Sequence, residues 1–191
     1  MARTYDMSKR AQNAARTTDN IITATEKLLA EKSLEEISLN EIAKEANVAV
    51  QTVLRHMNSR DGCLQAVAEK VYTRVKKQRE IYKPGNIADA VENLIEHYER
   101  EGKLVLNILA QEQSTDSFAS ELTTIGRNYH RNWVEECFSP YLSGSGPEVI
   151  DCLVVVTDIY TWKLLRLDLG RTRNATKNAV LKMVNDIKEA S

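Results

Sequence analysis

Apolar positions recur at helical spacing along nearly the whole chain, and no alternating apolar and polar pattern runs longer than four residues. Spacing by three and four puts side chains on one face of a helix, whereas strict alternation would mark a strand. Ile21, Ile22, Ala24, Leu28 and Leu29 form the first stripe, ending at Glu31-Lys32. Ile42, Ala43 and Ala46 form a second, short one, and Val53 and Met57 a third. A long helix is expected from Asn58 or Ser59 to about Tyr82, with Leu64, Val67, Ala68, Val71 and Val75 on one side and Pro84-Gly85 ending it. Further helices are expected from Ile87 to Arg100, with a break at Gly102 before the apolar LVLNILA, and from Phe118 to Phe138. The last two run from Pro147 to Gly170 and from Asn174 to Ala190. This is an all-α pattern without an internal repeat.

Residues 38–57, SLNEIAKEANVAVQTVLRHM, carry the sharpest local signal. Ser38 can cap a helix through its side-chain oxygen, and Glu41, three residues on, can reach back to complete a capping box. Asn47 tolerates the left-handed backbone of a tight turn, Val48 would plug that turn into the core, and a second helix starts near Val50. Two short helices joined by a turn of about three residues make a helix-turn-helix.

On the second helix, at about 100° per residue, Val53 and Met57 share the buried side. Gln51 and Arg55 point nearly opposite, and Thr52 and His56 occupy one flank. This is chemistry suited to a DNA groove. Gln pairs bidentately with adenine, Arg with guanine, and Thr or His takes phosphate oxygens. Val50 is either a contact to a thymine methyl or partly buried, lying about 60° from Val53. The competing reading of this face is an ordinary solvated surface.

Composition changes the picture only at the margins. Net charge is −1 at pH 7, so no global basic excess marks a generic nucleic-acid coater, and any attraction to DNA is local. The most basic stretch is residues 1–16, where Arg3, Lys9, Arg10 and Arg16 face a single Asp6. It lacks a strong apolar face and is expected to be a flexible arm, able to enter a neighbouring minor groove. No apolar core of a signal peptide follows these charges, and no apolar run approaches twenty residues, so a cytoplasmic protein without a membrane span is expected. Cys63, Cys137 and Cys152 are widely spaced, and His56, His97 and His130 form no HxxxH or HExxH group, so neither a disulfide framework nor a metal site is expected. No cofactor is implied. A helical di-metal enzyme would need paired ExxH motifs, and a hydrolase a GxSxG elbow; neither is present, so the chain is not expected to be an enzyme.

From Thr17 to about Val67 the chain resembles, without a gap, the DNA-binding domain of the tetracycline-repressor (TetR) family of bacterial regulators. LEEISLNEIAKEANV is similar to that family's second helix and its approach, and QTVLRHMNSRDGCLQAV to its recognition helix running into a long fourth helix. The resemblance implies that Gln51 and Arg55 face bases and that Thr52, His56 and Arg60 touch phosphates; Ser38, Asn40 and Val50 complete the DNA-binding set. Three positions depart from the family pattern. Asn47 stands where Gly is usual, Ala49 replaces a capping Ser or Thr worth about 1 kcal/mol, and Leu54 stands where a phosphate-contacting Tyr is usual.

The resulting division is a basic arm over residues 1–16, a helix-turn-helix domain over 17–62, and a ligand-binding and dimerisation domain over 63–191. VIDCLVVVTDIYTWKLLRLDL is apolar around more of its circumference than one packing face needs, and Val180, Leu181, Val184 and Ile187 add a stripe. Pairing with a second copy through the last two helices would bury this surface, as the resemblance of TDIYTWKLLRLDLG also implies. A homodimer would place two reading helices on a palindromic operator in double-stranded DNA. The resemblance further implies a cavity for an unknown small-molecule effector, with Leu106, Leu109, Gln113, Phe118, Tyr129, Trp133, Cys137, Tyr160 and Trp162 as candidate lining. The expected function is a repressor released from DNA by that effector. The alternatives are a constitutive DNA-binding regulator and a helical-bundle enzyme.

Overall fold

The computed structural model describes residues 2–114, 116–142 and 144–190, with side chains from residue 9 onward. Nine α-helices and no strand are present among these residues: α1 (Ala2–Glu31), α2 (Leu39–Glu45), α3 (Val50–Met57), α4 (Arg60–Arg79), α5 (Ile87–Leu109), α6 (Ser117–Cys137), α7 (Pro147–Val156), α8 (Ile159–Lys163) and α9 (Arg173–Ala190). A π-helical turn, Leu164–Asp168, extends α8. Among the described residues no helix is long and apolar enough to cross a membrane.

Two cores organise the chain. The first gathers Ile21 and Leu29 of α1, Ile42 of α2, Val53 and Met57 of α3, and Leu64 and Val67 of α4. It also draws in Leu104 and Ile108 of α5, so the reading head sits directly on the C-terminal half of that helix. The expected division at residue 62 therefore falls inside a continuous core. The second core packs Val91, Leu94 and Ile95 of α5 against Trp133 and Val134 of α6, Leu153 of α7 and Val180 and Val184 of α9.

Several element boundaries differ from the sequence expectation. Residues 2–16 are not an irregular arm but the first turns of α1. The physical reason is local: Ala11, Ala14 and Ala15 alternate with Arg, Lys and Gln, all good helix formers, and no Gly or Pro intervenes. Gly102 does not break the chain's fifth helix. It lies within α5 because the Trp162 ring rests on it; a Cβ there would stand 2.7 Å from two ring carbons. The apolar helix expected from Pro147 to Gly170 is interrupted at Thr157-Asp158. Thr157 Oγ1 donates back to the Leu153 carbonyl at 2.6 Å, and the Asp158 carboxylate accepts from Tyr160 N–H at 2.8 Å, capping α8. The long fourth helix ends at Arg79 rather than at Tyr82.

The corner between α3 and α4 is fixed by backbone chemistry. Asn58 takes a positive φ of 64°, Ser59 Oγ accepts from Gly62 N–H at 3.0 Å, and a Cβ at Gly62 would lie 2.0 Å from the Met57 carbonyl oxygen. Only glycine lets α4 start that close to the reading helix.

Candidate functional site

The helix-turn-helix is built as its sequence dictates. Ser38 Oγ accepts from Glu41 N–H at 3.2 Å, capping α2. The expected return bond from Glu41 is not made, because its carboxylate pairs with Lys32 instead. Asn47 turns the chain with φ of 53°, and Val48 N–H reaches back to the Ala43 carbonyl at 2.9 Å. α3 then begins at Val50 without a side-chain cap at Ala49. Val53 and Met57 are buried beneath it, fixing its rotation.

That rotation leaves Gln51 and Arg55 exposed on the outer face, and no hydrogen bond or ion pair engages either side chain among the described residues. Ser38 and Asn40 are exposed at the start of α2, and Thr52 and Val50 are half-buried flanks. His56 is half-buried, with Nδ1 2.8 Å from Thr18 Oγ1 of α1. α1 continues past this contact toward its N-terminal end, and Arg16 and Lys9 are exposed on that extension. Arg60 departs from expectation. Its Nε donates to the Ile37 carbonyl at 2.7 Å and its Nη2 to the Leu34 carbonyl at 2.6 Å, with Asp116 at 3.1 Å. A guanidinium so engaged holds α4 to the 3-10 turn at Leu34–Glu36 and to the cap of α6, and is not presented for a phosphate.

Behind the reading head, α4, α5, α6 and α8 enclose a cavity of about 230 Å³. Leu109, Phe118, Tyr129 and Tyr160 line it as expected. The other five candidates lie elsewhere. Trp133 and Cys137 are core residues, and burial pushes the Cys137 thiol up to about 12. Trp162 is buried against Gly102, with Nε1 donating to Glu99 at 3.0 Å, and shares a shallow surface depression with Leu106. Gln113 is exposed in the link between α5 and α6.

Apart from His130, which with Arg131 and Glu112 is expected from sequence either to orient a polar ligand or to form surface ion pairs, the polar lining was not anticipated. Arg79, His97, Thr123 and His130 face the cavity, each less than a tenth exposed. Arg79 stacks over the Trp133 ring, 4.3 Å from its centroid, and lies 5.4 Å from that of Tyr129. Burial pushes the His130 imidazole down to about 3 and His97 well below its ordinary value, with the positive Arg79 adding to both shifts. A signal for Arg79 existed in the apolar period of its helix, since Val75 lies one turn before it on the same side.

An ion-pair cluster ties the head to the rest. Arg74 of α4 donates from Nε and Nη2 to the two oxygens of Glu101 in α5, at 2.8 and 2.7 Å. Its Nη2 also reaches Glu26 of α1 at 2.6 Å.

Residues 21–67 match the family model described as bacterial regulatory proteins, tetR family. The fold is similar to that of a transcriptional regulator from Aquifex aeolicus VF5 described as TerR/AcrR family, with a TM-score of 0.68 at 18% identity over 90% of this chain and 99% of that one. It is also similar to a transcriptional regulator from Rhodococcus sp. Rha1, with a TM-score of 0.66 at 18% identity over 91% and 96% of the two chains. A TetR transcriptional regulator from Streptococcus agalactiae 2603V aligns with a TM-score of 0.60 at 20% identity, over 94% and 98%. A search of curated protein sequences finds no match. Residues 21–67 therefore match a tetR-type regulatory segment, and over nearly its full length the chain is similar in fold to these transcriptional regulators.

Proposed function

We propose that two copies of this chain bind a palindromic operator as a repressor and that a small molecule in the α4–α5–α6 cavity releases them. The reading surface comprises Gln51 and Arg55 toward bases, with Ser38, Asn40, Val50, Thr52 and His56 around them; Arg60 is left out because its donors are spent inside the protein.

One observation carries this reading: a single helix belongs to both ends of the mechanism. α4 starts in the corner that holds α3, contributes Leu64 and Val67 to the head's core, and ends at Arg79 in the cavity wall. At 1.5 Å per residue its twenty residues span about 30 Å without a break. A ligand that displaces its C-terminal end moves the reading helix. For release, that ligand must favour the displaced arrangement, since equal affinity for both shifts nothing.

Of the last two helices expected to pair, α9 turns Val180 and Val184 into the chain's own second core, so dimerisation is supported by the other, whose α7, α8 and π turn expose an apolar surface. Val155, Tyr160, Leu164, Leu167 and Leu169 are each more than half exposed. They form one nearly continuous stretch of chain, beyond what scattered surface apolar residues account for. A two-fold axis through this face gives two reading helices at half-site spacing.

The test is operator affinity by fluorescence anisotropy, with and without compounds that raise the protein's melting temperature. At least one such compound weakens operator binding, and operator weakens its binding by the same factor. If operator affinity is indifferent to every compound that binds the cavity, the chain is a constitutive regulator.

A further inference from the structure

Arg79 is 3% exposed, and no carboxylate pairs with it among the described residues. Its one hydrogen-bonded contact is Nη2 to His130 Nδ1 at 3.1 Å, and its Nε has no partner. A guanidinium cannot accept, so His130 Nδ1 is the acceptor and the imidazole is neutral, its proton on Nε2 toward Thr157 Oγ1 at 3.2 Å. His97, the other imidazole in the wall, is likewise held neutral by burial. The acid in the wall, Asp158, is committed to capping α8, and the rim cation Arg127 pairs with Glu112 at 2.7 Å. The cavity therefore holds one lone, desolvated positive charge, a costly arrangement unless a counter-ion arrives.

Among the described residues, three further polar atoms in the same wall lack partners: His97 Nδ1, Thr123 Oγ1 and Tyr129 Oη. Two of these are hydroxyls that can donate, as the guanidinium does. The remaining wall is apolar, with Val71, Val75, Ile108 and Leu122 among it. From this we propose that the cavity binds a small apolar carboxylate, with Arg79 as its counter-ion and Thr123 and Tyr129 as further donors. A planar carboxylate matches the guanidinium fork, whereas a phosphate dianion would ask for a second cation that the wall does not supply. The volume, about 230 Å³, equals roughly eight waters, which fits a compact aromatic or medium-chain acid. This inference rests on the reading of the cavity as the effector site, and it names the effector's class. It also gives the ligand a direct hold on α4, because Arg79 is that helix's last residue.

The experiment is calorimetric titration of the full-length protein with benzoate, phenylacetate, hexanoate and octanoate, each beside its primary amide, on wild type, Arg79→Lys and Arg79→Met. At least one acid binds, its amide binds far more weakly, and Arg79→Met lowers acid affinity on the order of 100-fold while Arg79→Lys retains part of it. Folding of Arg79→Met is checked separately: replacing an unpaired buried charge by an apolar chain leaves the ligand-free melting temperature unchanged or higher. Equal binding of acid and amide, acid binding that survives Arg79→Met, or no acid binding at all would overturn the proposal. If only neutral compounds bind and they release operator, the carboxylate assignment fails and the ligand-release reading stands. If acids bind through Arg79 without changing operator affinity, the reverse holds.

Discussion

Arg79 Nη2 stands 3.1 Å from His130 Nδ1, and both side chains are buried where α4 meets α6. The contact forces His130 to remain neutral, consistent with an imidazole held at about 3. The unfolded chain binds a proton on His130 and His97 as pH falls through 6.5, but the folded chain does not. Protons therefore favour unfolding: this stability is present above pH 6.5 and is lost on descending from 6.5 toward 3. His130→Gln keeps an acceptor for Arg79 and removes the titration. Urea unfolding between pH 7.5 and 5 should show a smaller loss of stability in this variant than in wild type; equal losses would remove His130 from the account.

The Arg74–Glu101 pair should be the main electrostatic tie between the head and the rest of the molecule. Glu101 is 2% exposed and accepts from Arg74 at both oxygens, with Arg100 Nε at 2.9 Å as its other partner. Arg74→Met leaves that buried carboxylate with Arg100 alone and should cost about 3 kcal/mol, near the lower end for breaking a buried pair. Adding Glu101→Leu should restore much of this, because no buried charge remains uncompensated. Urea denaturation of the two variants measures both effects.

Gly102→Ala gives a prediction with a decisive sign. In a solvent-facing helix the change gains up to about 1 kcal/mol. Here the new methyl would meet the Trp162 ring at 2.7 Å, and overpacking of this kind costs about 1–3 kcal/mol. Thermal unfolding should show a lowered melting temperature, with Trp162 fluorescence shifted as the ring is displaced.

Leu164→Glu combined with Leu167→Glu tests the proposed dimer face. Both residues are 52% exposed in the single chain, so the fold should survive, as circular dichroism can verify. Light scattering after size exclusion should move from twice the 21.6 kDa chain mass to that mass itself. An unchanged dimer would place the interface elsewhere.

The reading head was legible because its signals are local. Ser38 capping, the Asn47 turn and the Val53–Met57 face all lie within a few residues of one another, and each was placed as expected. Features set by distant partners were not. Gly102 looks like a helix breaker until Trp162 is seen resting on it. Arg60 sits at a phosphate-contacting position of the family pattern, yet the Leu34 and Ile37 carbonyls take its donors. Arg79 lies in the run RVKKQRE, where a solvated basic face is the natural reading; its spacing from Val75 hints at the inner side, and the packing of α6 shows it buried. For the cavity, aromatic residue type alone could not separate Tyr129 in the wall from Trp133 in the core.

The central claim, that α3 reads DNA sequence, is tested most directly by selecting bound duplexes from a random pool with purified wild type and Arg55→Ala at one moderate salt concentration. The account predicts a two-fold-symmetric site for wild type. For the variant it predicts affinity lower by roughly 1–3 kcal/mol, with preference relaxed at one base pair in each half-site. Recovery of no symmetric sequence by wild type, or a uniform loss across all sequences for the variant, would contradict base reading by Arg55.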